Sequence, residues 1–316
     1  MKYIKAKFKI KALDSLYMPE YKGSFFRGIF GWKFKKLTCV LKNLEDCKEC
    51  ILKKTCPYFN IFENKYYSEK PLLKTGSSIP HPYIILPPLD EKRKFESNET
   101  LEFEITIIGK WSETLPYFLL TFQEIGKTGI GKNKSKFEIE AIYQDDKNIL
   151  NNNNINFYIK AFKFDNHSDI SDINFLTVEV ITPLRLMKNN KTLRSINFKD
   201  FYLSVLRRCE LLLYYYNDKS IDNFINVKAL NELADTIKIK NKFLYWYNWE
   251  RYSNKQKKRI SLSGLMGNIS FEGNITPFLP LLKFAETFHT GKNTVFGLGK
   301  INLKTNLKHN NEKDIN

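Results

Sequence analysis

Hydrophobic and polar residues alternate from the first positions of the chain. In MKYIKAKFKIKAL, residues 2–10 alternate as a strand does, with Ile4, Ala6, Phe8 and Ile10 apolar and Lys5, Lys7 and Lys9 between them, the period of a half-buried strand. The period then lengthens. Ser24 offers an N-cap to a helix whose apolar residues Phe26, Ile29, Phe30, Phe34 and Leu37 follow helical spacing. Beyond a cysteine-rich stretch, the pattern predicts strands at 82–87 and 100–108, a helix at 114–125 and a strand at 136–143. The polar tract 145–154 reads as a linker. A second series follows, with strands at 156–164 and 174–181, a helix at 198–217, a helical and aromatic region at 228–252 and a hairpin at 259–272. The last helix takes Thr276 as cap and Pro277 at its first position, where a missing N–H costs nothing, and a strand lies near 298–304.

Two segments repeat one arrangement. Residues 115–132 read LPYFLLTFQEIGKTGIGK and residues 279–300 read LPLLKFAETFHTGKNTVFGLGK. Each opens on Leu-Pro, runs through an amphipathic helix and breaks into a glycine–lysine loop that feeds a strand, so the chain reads as two related units in tandem. Interleaved strands with two helices per half predict an α+β protein of two tandem ferredoxin-like, RRM-like domains, at 1–150 and 155–305, with a polar tail at 306–316. The loops hold Gly126, Lys127, Gly129, Gly131 and Lys132 in the first half, and Gly291, Lys292, Gly297, Gly299 and Lys300 in the second. Glycine lets backbone amides come close to a ligand, and the interleaved lysines point to an anionic one.

Charge narrows the ligand. Lysine and arginine number 51 against 34 acidic residues, a formal net charge of +17, which is the footprint of a nucleic-acid binder or of an AT-rich genome. With 316 residues, 42% of them hydrophobic, the chain can bury two cores. No apolar run approaches the roughly 20 residues that span a bilayer. The N-terminus lacks a signal peptide's apolar block, so a cytoplasmic protein is expected.

Five ordered blocks carry a family resemblance: GSFFRGIFGWKFKKL (23–37), TPLRLMKNN (182–190), LSVLRRCELLLYYY (203–216), RISLSGLMGNISFEGNITPFLPLL (259–282) and HTGKNTVFGLGK (289–300). Together they resemble the CRISPR precursor-RNA processing endoribonucleases of the RAMP superfamily. The resemblance implies tandem ferredoxin-like domains, binding of CRISPR repeat RNA by glycine loops and a positive cleft, and cleavage of precursor CRISPR RNA within each repeat without a catalytic cofactor. Effector-complex subunits and a second copy of the chain stay open as further partners. Arg185 resembles a family position near the domain interface, with RNA contact and structural support both open. Many family members place a catalytic histidine in or just after the first helix, whereas residues 23–40 here hold none.

The chemistry follows from RNA itself. Its 2′-hydroxyl is a built-in nucleophile, so an enzyme needs chiefly to hold that oxygen in line with the leaving 5′-oxygen and to stabilise charge. The products would be a 2′,3′-cyclic phosphate and a 5′-hydroxyl. Histidine titrates near the working pH and is the usual proton carrier. Of His81, His167, His289 and His309, only His289 ends a repeated helix and meets a glycine–lysine loop; it is the candidate catalytic residue, with a capping histidine as the plain alternative. In the first helix Arg27, flanked by Gly28, is the candidate phosphate contact, while Lys35 and Lys36 read equally well as surface lysines. Residues 245–252, YWYNWERY, adjoin Lys257 and Arg259, a mixture that can stack bases and neutralise phosphates, although most such aromatics are core.

Cys39, Cys47, Cys50 and Cys56 are spaced C-x7-C-x2-C-x5-C. In a reducing compartment that spacing favours metal over disulfides. Tetrahedral zinc fits an insertion, about 39–70, too short to build its own core. An iron–sulfur cluster uses the same ligands, and four unliganded thiols are the third reading. Any metal here is a staple and not the cleavage catalyst. Cys209 reads as a buried helix residue.

Overall fold

The computed structural model describes residues 1–41, 44, 46–63, 79–152, 154–164, 172–253 and 258–305. Lys257, His167, His309 and the 306–316 tail lie outside the described residues. The chain forms two compact units: residues 1–162 with 211–219 and 295–297, and residues 163–210, 220–294 and 298–316.

In the first unit the principal elements are β1 (Lys2–Ala12), α1 (Gly23–Thr38), β2 (Tyr83–Leu86), β3 (Thr100–Ile108), α2 (Leu115–Thr128) and β4 (Phe137–Gln144). The sheet order is β2-β3-β1-β4 with antiparallel neighbours, which is the ferredoxin-like β-α-β-β-α-β topology. The alternation of β1 sorts its two faces. Ile4, Ala6, Phe8 and Ile10 are buried, and Phe8 pairs with Phe103 and Ile10 with Leu101. The intervening lysines meet acids on the neighbouring strands: Lys5–Glu104 at 3.0 Å, Lys7–Glu102 at 3.7 Å, Lys9–Glu140 at 2.6 Å and Lys11–Glu138 at 3.8 Å. Cross-strand opposite charges contribute roughly 0.2–1 kcal/mol per pair, so this face is neutralised by its own ladder.

The core of this unit is aromatic. Phe26, Phe30 and Phe34 line one side of α1, with Phe30 stacked on Phe118 of α2 at 4.5 Å and Phe26 and Phe122 each 4.7 Å from Phe103. Ile29 is only half-buried and Leu37 is exposed, because the covered stripe is narrower than the apolar pattern. Ser24 is inside the helix and not its cap. The N-cap is Lys22, whose buried ammonium donates to the Asp90 carbonyl at 2.6 Å. The segment expected to open the second series instead closes the first: Lys160–Ala161 pairs with β1, and the terminal amine donates to Phe162 O at 2.7 Å. The tract 145–154 contributes two short pairings, Tyr143↔Asn148 and Leu150↔Ile155, in place of a bare linker. Residues 211–219 and 295–297 complete this unit, with Tyr216 Oη donating to Pro80 O at 2.5 Å and Tyr21 Oη to Phe296 O at 3.0 Å.

The second unit repeats the topology with β5 (Phe175–Leu184), α3 (Phe198–Asn217), α4 (Val227–Leu233), β6 (Lys238–Tyr247), β7 (Gly264–Glu272), α5 (Leu279–Phe288) and β8 (Ile301–Thr305), in sheet order β6-β7-β5-β8. The fold is therefore α+β, two tandem ferredoxin-like domains. Two expectations change. The region 228–252 is a short helix followed by an edge strand, and its strand character had been masked by alternating lysines and aromatics on both faces. The 259–272 hairpin divides: Lys258–Ser261 pairs with Glu250–Ser253, while β7 pairs with β6 and β5. Thr276 does not cap α5; its Oγ1 accepts from the Ile173 amide at 2.8 Å, and a 3-10 turn at Thr276–Phe278 precedes the helix. Cys209 is buried in α3, as its apolar neighbours required, and burial pushes its thiol well above the ordinary range. Among the described residues no helix is long and apolar enough to cross a membrane.

Candidate nucleic-acid interface

On α1, Arg27 lies half-buried with its guanidinium 3.9 Å from the Phe62 ring centroid and 5.7 Å from that of Phe296. Phe62 belongs to a π-helical turn, Tyr58–Glu63, that covers Gly31; a Cβ there would meet the Phe62 ring at 1.8 Å. Beneath them Tyr83 is fully enclosed. Burial pushes its phenol up to about 12, with the Arg27 cation pulling the other way. A planar cation held against an aromatic face keeps its donors in a fixed plane. Next to it Gly28 is exposed, with nothing within 4 Å of where a Cβ would stand, so the helix surface beside Arg27 is open. Trp32, 61% exposed, has the Lys36 ammonium 4.8 Å from its ring centroid and the Lys33 ammonium at 5.7 Å. Sequence reasoning missed Trp32; its signal is that it falls outside the stripe of Phe26, Phe30 and Phe34.

The glycines of both repeated loops make close approaches, mostly to the protein's own chain. Gly126 packs on the Phe137 carbonyl, where a Cβ would stand 2.2 Å away, and Gly129 ends α2 at φ +79°, where a Cβ would stand 1.9 Å from Lys134 O. Gly131, at φ +70°, has nothing within 4 Å, and with Lys132 it forms the exposed tip of the turn. Lys127 pairs with Glu124 at 2.8 Å.

In the second unit the loop 289–300 is laced by backbone bonds: Thr290 N to Gly299 O at 3.0 Å, Gly299 N to Pro183 O at 3.2 Å and Lys292 N to Arg185 O at 2.9 Å. Gly291 and Gly299 permit that lacing, since a Cβ would stand 2.7 Å from Arg185 O and 1.8 Å from Thr290 O. Gly297 packs in the first unit, 2.7 Å from Pro87 Cδ by the same measure. The Lys300 ammonium donates to Glu286 O at 3.1 Å, holding the end of α5, while Lys292 is exposed. Arg185 donates to Ser263 O at 3.1 Å and stays half-buried.

His289 is 1% exposed, with φ at +57°, its Nδ1 3.1 Å from Leu298 O and its own carbonyl accepting from Arg208 Nε at 2.9 Å. A ring enclosed to that degree faces its own loop and not a phosphodiester. The ring is tied to the loop that follows α5, through Leu298. His81 lies 3.4 Å from Ile61 O through Nδ1 and beside Tyr83.

Arg259 has its side chain 81% exposed, 3.9 Å from Glu250. On β6, Phe243 is 72% exposed and Tyr245 follows two residues later on the same face, paired with Asn268 and Met266 of β7. Trp246 faces the other way under the Arg194 guanidinium at 4.7 Å. Phe243 was missed because it precedes the aromatic run that drew notice.

Cys39, Cys47, Cys50 and Cys56 all line one pocket, with Leu41, Leu44, Lys53, Tyr58 and Phe59. None is in a disulfide. As the side chains lie, no group of three or more His, Cys, Asp or Glu among the described residues is arranged to hold a metal ion.

The class that emerges is an α+β protein of two ferredoxin-like domains in tandem, the second closed by a laced glycine loop. Residues 178–301 match the family of the CRISPR-associated endoribonuclease Cas6, and residues 1–160 match the AF_1859_N N-terminal domain. Residues 178–301 thus carry the domain of the Cas6 family of CRISPR-associated endoribonucleases. Among curated proteins none matches it in sequence. Solved structures share the fold: a Cas6 product complex at 12% identity and TM-score 0.58, covering 96% of this chain and 100% of that one; Thermus thermophilus Cas6 at 10% and 0.53, covering 96% and 98%; and a partial Cas6-RT-Cas1–Cas2 complex at 13% and 0.59, covering 98% of this chain and 47% of that one.

Proposed function

We propose that this protein binds CRISPR repeat RNA and cuts precursor CRISPR RNA within the repeats, without metal, by attack of the ribose 2′-hydroxyl on the adjacent phosphate. The products are a 2′,3′-cyclic phosphate and a 5′-hydroxyl. The observation that carries this reading is the Cas6 match over 178–301 on a domain that repeats the topology of the one before it. Exposed Lys132, Lys292 and Arg259, half-buried Arg27 and Arg185, and Lys257 supply phosphate contacts. Trp32, Phe243 and Tyr245 supply faces on which unpaired bases stack. Because the 2′-oxygen is already tethered beside its phosphate, holding it in line and stabilising the charge that develops there can cut RNA without a histidine. A missing general acid–base pair lowers the rate by roughly 10²–10⁴-fold, so slow single turnover is the expected regime.

A second reading has its own support: α1 lacks histidine and His289 is enclosed, which suits a subunit that holds guide RNA without cutting it. Incubation of the full chain with a repeat RNA in EDTA separates the two. Cleavage leaving a cyclic phosphate sustains the enzyme, whereas tight, salt-sensitive binding to an intact strand transfers the chain to the second class.

A further inference from the structure

We infer that Cys39, Cys47, Cys50 and Cys56 form a tetrathiolate zinc site that fastens the segment after α1 to the aromatic cover of that helix. Three separate pieces of chain bring the thiols to one pocket. Cys39 is the C-cap of α1, its amide donating to Lys35 O at 2.9 Å. Cys47 and Cys50 share a tight turn closed by Cys50 N to Cys47 O at 3.3 Å. Cys56 opens the turn into Tyr58–Glu63, its carbonyl accepting from Asn60 N at 3.1 Å and Asn60 Nδ2 at 2.9 Å. A C-x2-C turn with two further cysteines from flanking chain is the donor set of structural zinc.

The segment also needs a staple. Its described residues between Cys39 and Cys56 form turns without strand or helix, and Ile51 is 86% and Val40 75% exposed, so local burial does not hold them. The pocket is otherwise apolar, apart from Lys53, a cation that favours a site of net negative charge. Zinc would draw the four sulfurs to about 2.3 Å and release the thiol protons to solvent, with no change of oxidation state. The fastening has a target: Cys56 leads directly into the turn whose Phe62 covers Gly31 and carries the Arg27 guanidinium.

The test uses the full chain purified without chelator. Elemental analysis should find about one zinc per chain, and a mercurial thiol reagent should release it in step with the blocking of four thiols. Cys47→Ser with Cys50→Ser should cut zinc content more than tenfold, while Cys209→Ser keeps it. If the double variant does not fold, the mercurial titration of the unaltered chain decides alone. Rapid native alkylation of all four thiols with no stoichiometric metal overturns the inference; iron with inorganic sulfide overturns the assignment to zinc.

Discussion

Replacing His289 by alanine removes a ring that is bonded to the loop it ends. Loss of the enclosed side chain and its contact with Leu298 should cost roughly 2–4 kcal/mol in urea unfolding, with single-turnover cleavage per folded molecule unchanged. Lost cleavage at full stability would restore His289 to the reaction. Gly299→Ala drives a Cβ to within 1.8 Å of Thr290 O at φ +70°, and a loss of more than about 2 kcal/mol is expected in the same assay. At this scale the sequence was half legible. It located the glycines and the histidine, because composition marks them, but could not tell whether the space beside each holds a ligand or the protein's own backbone. That answer depends on contacts such as Gly291 to Arg185, set by chain folded back from over a hundred positions away.

Along α1 the apolar spacing was read correctly to within a residue or two, since Phe26, Phe30 and Phe34 repeat at helical intervals. Gly28 interrupts that helix on its open side. Gly28→Ala should therefore stabilise by about 0.5–1 kcal/mol, and a weakened RNA affinity in the same variant would locate a phosphate beside Arg27; an unstable variant would contradict the open surface. Below it, Tyr83 favours the protonated phenol in the folded state. Its contribution is full below the ordinary tyrosine value of 10.0 and is lost as pH rises toward about 12. Urea midpoints across that window should fall, and Tyr83→Phe should remove part of the slope; identical profiles would discount the burial effect. Strand β6 was not legible as a strand. Lys238, Lys240 and Lys242 among Ile239, Phe243 and Tyr245 leave both faces mixed, and an edge position with one partner imposes no clean alternation.

For the molecule as a whole, the count of 51 lysines and arginines overstates what RNA can use, because Lys5, Lys7, Lys9 and Lys11 of β1 pair with glutamates of the neighbouring strands. Affinity for single-stranded repeat RNA should still fall steeply with salt. Lys292→Ala should weaken it evenly across sequences and reduce the log–log salt slope by about 0.7; an unchanged slope would remove Lys292 from the interface. The duplicated topology was legible because each helix–loop–strand repeat is local in sequence. The composition of each unit was not. Tyr216 and Phe296 are far along the chain yet complete the first unit, one donating to Pro80 and the other accepting from Tyr21. Proteolytic scission after residue 162 would thus orphan two borrowed pieces, leaving the amino-terminal fragment with a gap at Gly109, where Tyr216 had pressed, and inviting aggregation instead of autonomous refolding.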